Sequence, residues 1–285
     1  MYQNKETIYH THISSVHRWY DINLQEIWQY RDLIILFTKR NFILTFKQTI
    51  LGPIWIFLTP FITSIIFTVV FGEIAGISTD GVPQILFYLC SNALWSFFSE
   101  CVNRNASTFV TNAALFGKIY FPRITVPISN ALSSVIRFAI QMLMTSVFWI
   151  YYMAKGMLYP NLWAALFIPA VLIQLSVLGI GIGIIVSSLT TKYRDLMIVV
   201  GFGVSLWMYA TPIVYPLSQV GEGILKTMLL INPVTVPVEL FRYAVLGQGI
   251  VVPEYCVLSW IVTVIVAIFG MILFVHVEKT FMDTI

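Results

Sequence analysis

The chain has 285 residues, of which 58% are hydrophobic, 15% aromatic and only 10% charged, with a formal net charge of +3. Soluble globular proteins carry roughly 25% charged residues, so this composition excludes a soluble enzyme and, with so small a net charge, a nucleic-acid binder. Three cysteines are too few for a disulfide framework, and the chain reads as an integral membrane protein.

Residues 1–22, with His10, His12 and His17, form a polar tail. The first 47 residues hold no apolar run of signal-peptide type. Residues 23–47 predict a helix lying in the membrane interface. On an α-helical wheel Asp32, Lys39, Arg40 and Lys47 share an arc of roughly 100°, away from Ile27, Trp28, Ile34, Ile35 and Phe42, although Leu36 and Ile43 intrude on the charged side.

From residue 48 onwards, long gaps between charges mark the spans, because about 20 apolar residues cross the hydrocarbon as a helix. The gaps are Gly52–Phe71, Gly81–Ser99, Ile124–Ala154 (broken by Arg137), Gly156–Thr191, Leu196–Gly221 and Tyr255–Val277. Pro212 and Pro216 should kink or end the fifth. Thr227–Val238 and Tyr243–Pro253 are too short to cross and contain proline, which fits a re-entrant or outer-surface hairpin. Within it, Glu239 and Arg242 stand at helical pair spacing. The expected fold is therefore an all-α integral membrane protein with six transmembrane helices, an N-terminal interfacial amphipathic helix and a re-entrant helical hairpin before the last span. Its parts are a tail (1–22), an interfacial helix (23–47) and a six-span transmembrane domain (48–285).

Cations set the orientation. With the N-terminus inside, 12 of the 16 Lys and Arg residues fall on cytoplasmic segments, only Lys155, Lys226 and Arg242 fall outside, and Arg137 lies within the membrane. Both termini are thus expected in the cytoplasm, with the protein in the cytoplasmic (inner or plasma) membrane.

Chemistry-bearing motifs are absent from the sequence. There is no G-x-x-x-x-G-K-[ST] loop for nucleotide, no serine-hydrolase elbow, no H-E-x-x-H and no histidine cluster for a metal. Cys90 and Cys101 lie about 16 Å apart along one helix, too far to bond. Gly179, Gly183 and Ser187 form a ladder of small residues suited to close helix packing.

Five segments carry a resemblance: Phe46-Lys47-Gln48-Thr49-Ile50-Leu51-Gly52-Pro53-Ile54-Trp55, Lys118-Ile119-Tyr120-Phe121-Pro122-Arg123, Lys192-Tyr193-Arg194-Asp195, Thr211-Pro212-Ile213-Val214-Tyr215-Pro216, and Asn232-Pro233 followed by Glu239-Leu240-Phe241-Arg242. Their order and spacing resemble the permeases of polysaccharide and polyol-phosphate (O-antigen or teichoic acid) ABC exporters, the type-two ABC permease family, from about Ile27 to the C-terminus. The resemblance implies a half-transporter: two copies forming the path, two copies of a separate cytoplasmic ATPase that binds the ATP, and no cofactor, metal or catalytic residue in this chain. Its substrate would be a lipid-linked glycan or teichoic-acid-type polymer. A related exporter of a smaller lipid or drug is the alternative, and an ATPase-independent carrier is the rival class. Carriers usually bury acidic residues, and here only Glu100 approaches a span.

Such a permease needs a cytoplasmic knob. Ala114-Leu115-Phe116-Gly117-Lys118 is the first candidate, with Leu115 and Phe116 filling a cleft in the ATPase; Tyr193-Arg194-Asp195 is the second, or else a charge-paired turn. Lys39, Arg40 and Lys47 would meet anionic lipid headgroups, or the pyrophosphate of a lipid-linked substrate. Tyr88, Trp95, Phe98, Phe148 and Tyr152 are candidates to line a glycan path by stacking, against ordinary packing or an interfacial aromatic belt. Arg137 departs from the family pattern. It either makes a structural contact or faces the path and meets substrate phosphate, and direct pairing with Glu100 looks strained. Glu239 and Arg242 would belong to a hairpin that closes or brackets the outer mouth.

Overall fold

The computed structural model describes residues 24–47, 49–119, 121–191, 193 and 195–281, so the tail of residues 1–22 and Arg194 lie outside the described residues. Among the described residues there is no strand. The predicted interfacial helix is two helices, α1 (Leu24–Gln29) and α2 (Arg31–Phe46), separated at Tyr30. The remainder comprises α3 (Ile54–Phe67), prolonged by π-helical turns over Thr68–Ile74, then α4 (Gln84–Ala106), α5 (Thr108–Phe116), α6 (Thr125–Ala154) and α7 (Leu162–Ala165). After these come α8 (Ile168–Thr190), α9 (Leu196–Trp207), α10 (Ile224–Ile231), α11 (Thr235–Leu246) and α12 (Pro253–Phe281).

Five of these, α3 with its extension, α4, α6, α8 and α12, are long and apolar enough to cross a membrane. The apolar α9 has 12 residues, about 18 Å of rise. It ends five residues before Pro212 because the proline removes a donor and restricts Thr211, while Asn232 satisfies the groups the helix releases. The Asn232 Nδ2 donates to Ala210 O at 3.0 Å and Thr211 Oγ1 at 2.9 Å, and its Oδ1 accepts from Trp207 Nε1 at 3.2 Å. The same Asn232 forms the corner of the expected hairpin, whose arms α10 and α11 meet at 86°.

The α4 helix is the axis of the bundle, buried on all sides from Leu86 to Trp95 by α3, α6, α8, α9 and α11. The close approach of α8 depends on glycine. A Cβ on Gly179 would lie 2.9 Å from Cys101 Sγ, and one on Gly183 would overlap Asn105. On its other side Gly181 meets Ala267 of α12, where a Cβ would stand 3.1 Å from the Ala267 Cα. The small-residue ladder thus packs α8 on α4, while Gly181, outside the ladder, packs it on α12.

The α2 helix leans along the first half of α6 through a polar seam. Thr38 Oγ1 donates to Ser129 O at 3.4 Å, Asn41 Nδ2 to Asn130 Oδ1 at 3.0 Å, and Arg137 Nη2 to Thr45 Oγ1 at 2.5 Å. On the outward side of the helix the charged arc, with Asp32, Lys39 and Lys47 exposed, is shared with aliphatic residues. Its buried face is Ile34, Phe37 and Thr38, whereas Ile35, Leu36, Ile43 and Leu44 stay exposed beside Lys39 and Lys47. The facing surface of α6 presents serine, asparagine and arginine, so it takes the hydroxyl and amide side of α2 and leaves the aliphatic side outward.

Candidate functional site

At the end of the bundle where α2, α4 and α6 meet, one carboxylate oxygen serves two guanidinium groups. Glu100 Oε1 is 2.6 Å from Arg104 Nε, one turn along α4, and 2.6 Å from Arg137 Nη1 on α6. Arg137 also donates to Thr45 and lies 5.3 Å over the Phe46 ring. The expectation that Glu100 and Arg137 pair poorly is corrected: the long arginine side chain reaches across the α4–α6 contact, so the offset of the two backbones does not matter. Two cations on one anion leave the cluster with net positive charge, and Arg137 Nε has no hydrogen-bond partner. The sequence carried part of this signal in the Glu100 and Arg104 spacing, but the third member needed the helix packing.

Next to this cluster the α4–α5 corner is stitched down by α8. The Phe109 backbone N–H, which the start of α5 leaves without a helical acceptor, donates to Ser187 Oγ at 3.1 Å, and Thr190 Oγ1 donates to Ala106 O at 3.2 Å. Beneath α5, Phe109 stacks on Phe274 of α12 at 4.8 Å, and Phe116 packs on Phe121, which in turn meets Phe37 of α2 at 5.6 Å. Arg123 lies over the Phe116 ring at 5.5 Å and Arg40 over Phe37 at 4.9 Å.

Phe116 is therefore a core residue, 3% exposed, and cannot enter a cleft of another protein; its aromatic ring is spent on anchoring α5. Leu115 is half-buried in the same cluster. Ala114, Gly117 and Lys118 face outward. So does Ile119, 58% exposed, which the sequence reading passed over. The α8–α9 turn carries exposed Tyr193 and Asp195, and the Thr190 bond brings it to the same corner. The second knob candidate thus starts beside the α4–α5 corner, at the opposite end of α5 from the first, and its Arg194 lies outside the described residues. Lys39 and Lys47 are exposed, whereas Arg40 is half-buried and donates to Asn41 and Asn112 at 3.3 and 3.5 Å.

The aromatic candidates divide. Tyr88, Trp95 and Phe98 are at most 5% exposed, and their rings pack on Phe67, Phe87 and Trp207 within the chain's own core. They cannot line a path at the surface of this chain, because α4 is enclosed by its neighbours. Phe148 and Tyr152 on α6 are half-buried, against Phe61 at 5.8 Å and Tyr151 at 5.1 Å. The exposed ring nearby is Tyr151, and Lys155 Nζ sits 4.4 Å over it. Its hydrogen bond and favourable interaction with Tyr151 hold the Lys155 ammonium above the ordinary lysine range.

At the opposite end of the bundle Arg242 is 1% exposed and Glu239 2%. Arg242 Nη1 donates to Glu239 Oε1 at 2.8 Å, Nε to Ser91 Oγ at 2.9 Å and Nη2 to Ile213 O at 3.1 Å and to Pro212 O, while the guanidinium caps Phe87 at 4.2 Å. Glu239 Oε2 accepts from Ile250 N at 2.9 Å. The pair therefore locks α11 to α4, to the segment after α9 and to the loop before α12. Among the described residues no group of His, Cys, Asp or Glu is placed to hold a metal ion.

Comparison with known proteins agrees with this architecture. The chain is 29% identical over 212 residues to an O-antigen export system permease protein RfbA of Myxococcus xanthus, covering 74% of this chain and 78% of that one. Two proteins of the same description from Klebsiella pneumoniae are 26% and 24% identical over 259 and 253 residues, each alignment covering 88% of this chain and 94% of the relative. The model of the ABC-2 type transporter family matches residues 32–246, from α2 through the end of α11, and the chain belongs to that family.

Proposed function

We propose that this chain is the transmembrane subunit of an ABC exporter that moves a polysaccharide, carried on a lipid, outward across the cytoplasmic membrane. The observation that supports it most is the similarity to three O-antigen export permeases over most of the chain, together with five helices long and apolar enough to cross a membrane and a bent hairpin. Two copies would form the path, and two copies of a separate ATPase would bind and hydrolyse ATP beneath them. With both termini cytoplasmic, the α4–α5 corner and the α8–α9 turn face inward. Ala114, Gly117, Lys118 and Ile119, with Tyr193 and Asp195, then form the docking knob, and the aromatic platform beneath transmits its displacement to α2, α8 and α12. A rigid anchor suits this task, because a knob that yields would absorb the stroke.

In the same orientation Lys39 and Lys47 lie at the inner headgroup level, where each basic side chain contributes about 1 kcal/mol toward an anionic surface. The net positive cluster of Glu100, Arg104 and Arg137 stands beside them and is suited to a phosphate arriving from that leaflet. Half-buried Phe148 and Tyr152 remain candidates for the path, and the Glu239–Arg242 lock holds the hairpin at its outer mouth.

The test is disruption of the gene in the source organism. Loss of surface polysaccharide with lipid-linked polymer retained on the inner side supports this reading. Normal surface polymer with altered sensitivity to small amphiphiles points instead to an exporter of a smaller lipid or drug.

A further inference from the structure

We propose that residues 157–167, between the third and fourth membrane-crossing helices, form an in-plane hook whose aromatic and aliphatic side chains insert into the lipid of the leaflet remote from α2. In a connection exposed to water, charged or polar side chains would be expected at its surface. Here no charge occurs from Gly156 to Thr191, and the segment turns Met157, Tyr159, Leu162, Trp163, Leu166 and Phe167 outward, with Trp163 81% and Leu162 79% exposed. Only Leu158 and Ala164 of the segment are buried.

Immersion favours backbone polar groups that find partners without water, and the N–H groups from Ala164 to Phe167 do so. Asn161 Oδ1 caps Ala164 N at 3.1 Å, Ala165 N donates to Asn161 O at 3.0 Å, Leu166 N to Trp163 O at 3.3 Å and Phe167 N to Ala164 O at 3.0 Å. The side turned to the protein is fixed by polar bonds to α11: Asn161 Nδ2 donates to Tyr243 Oη at 2.8 Å and Asn161 N to Ala244 O at 3.2 Å. At Gly247, held at φ +77°, a Cβ would overlap the Tyr159 carbonyl, so the contact is close.

The apolar surface of the hook continues into the outward faces of its flanking spans, through Ile150 and Met153 of α6 and Ile173 of α8. Lipid is therefore the occupant that this surface fits, with tryptophan and tyrosine at the boundary as in interfacial segments. Because α11 is bound to the hook, the depth of the hook in the leaflet also sets the height of the α10–α11 hairpin.

The experiment places a nitroxide at Trp163→Cys and, in a second protein, at Leu162→Cys, in the full-length chain carrying Cys256→Ser and reconstituted in phosphatidylethanolamine–phosphatidylglycerol vesicles. A Glu222→Cys label serves as the aqueous reference. Both hook positions are largely exposed, so the substitutions leave the core intact. The expected result is an accessibility ratio of oxygen to a water-soluble nickel chelate that exceeds the reference by roughly tenfold at both positions. A ratio like that of the reference would overturn the proposal in favour of a water-exposed loop. Low accessibility to both reagents with spin–spin broadening would overturn it in favour of contact with a second copy.

Discussion

Arg242 and Arg137 show how the same residue type serves different ends according to what surrounds it. Arg242 spends every guanidinium nitrogen on protein partners and is sealed by Phe87, so it holds structure. Removing one member of a buried pair leaves the other uncompensated, at a cost of about 3–5 kcal/mol. Glu239→Leu is accordingly expected to lower the thermal unfolding midpoint of the purified protein sharply, and the double variant Glu239→Leu with Arg242→Met less than either single change. Midpoints of the two singles that equal wild type would remove the lock from the account. Arg137 keeps an unpartnered Nε and shares its carboxylate with Arg104. Arg137→Gln should reduce export while the unfolding midpoint falls little; a large midpoint loss with proportionate loss of export would make it a structural contact only.

At the scale of elements, α5 separates into an anchored and a presented side. Phe116→Ala removes a ring packed on Phe109 and Phe121 and is expected to destabilise the chain by about 3–5 kcal/mol. Ile119→Asp alters only the exposed surface. It should leave the unfolding midpoint unchanged while abolishing stimulation of the partner ATPase in co-purified complexes, and undiminished stimulation would exclude Ile119 from the docking knob. Between α4 and α8 the controlling feature is backbone proximity. Gly183→Val would force Asn105 aside and is expected to cost about 1–3 kcal/mol by overpacking, visible as a lowered midpoint in detergent. The same ladder was readable as a packing motif in sequence, but its partner helix was not, because Gly179 and Gly183 specify closeness and not identity.

For the whole molecule the decisive property is which end faces the cytoplasm. The distribution of cations predicts that a cysteine at Lys118 is modified by a membrane-impermeant maleimide only in inverted vesicles, and one at Glu222 only in intact cells. The reverse labelling pattern would turn the proposed docking face outward and refute the transport scheme. The bundle also explains why the aromatic candidates were only half legible. Tyr88, Trp95 and Phe98 sit on a helix that is buried all round from Leu86 to Trp95, so no apolar periodicity distinguishes a face turned to lipid, to a path or to other helices.

What the sequence determined by itself is the placement of five of the six expected apolar spans, the proline-broken hairpin and the family, because hydrocarbon thickness imposes a length and a charge scarcity that any single chain displays openly. The tertiary structure decided which surfaces are spent inside the chain: Phe116 as anchor and not knob, Tyr88, Trp95 and Phe98 as core, Arg137 as partner of Glu100. The physical reason is that a helix in a membrane gains little from hiding apolar side chains in protein over lipid. Burial there follows close backbone approach and hydrogen-bond pairing between helices, and these depend on which helices meet.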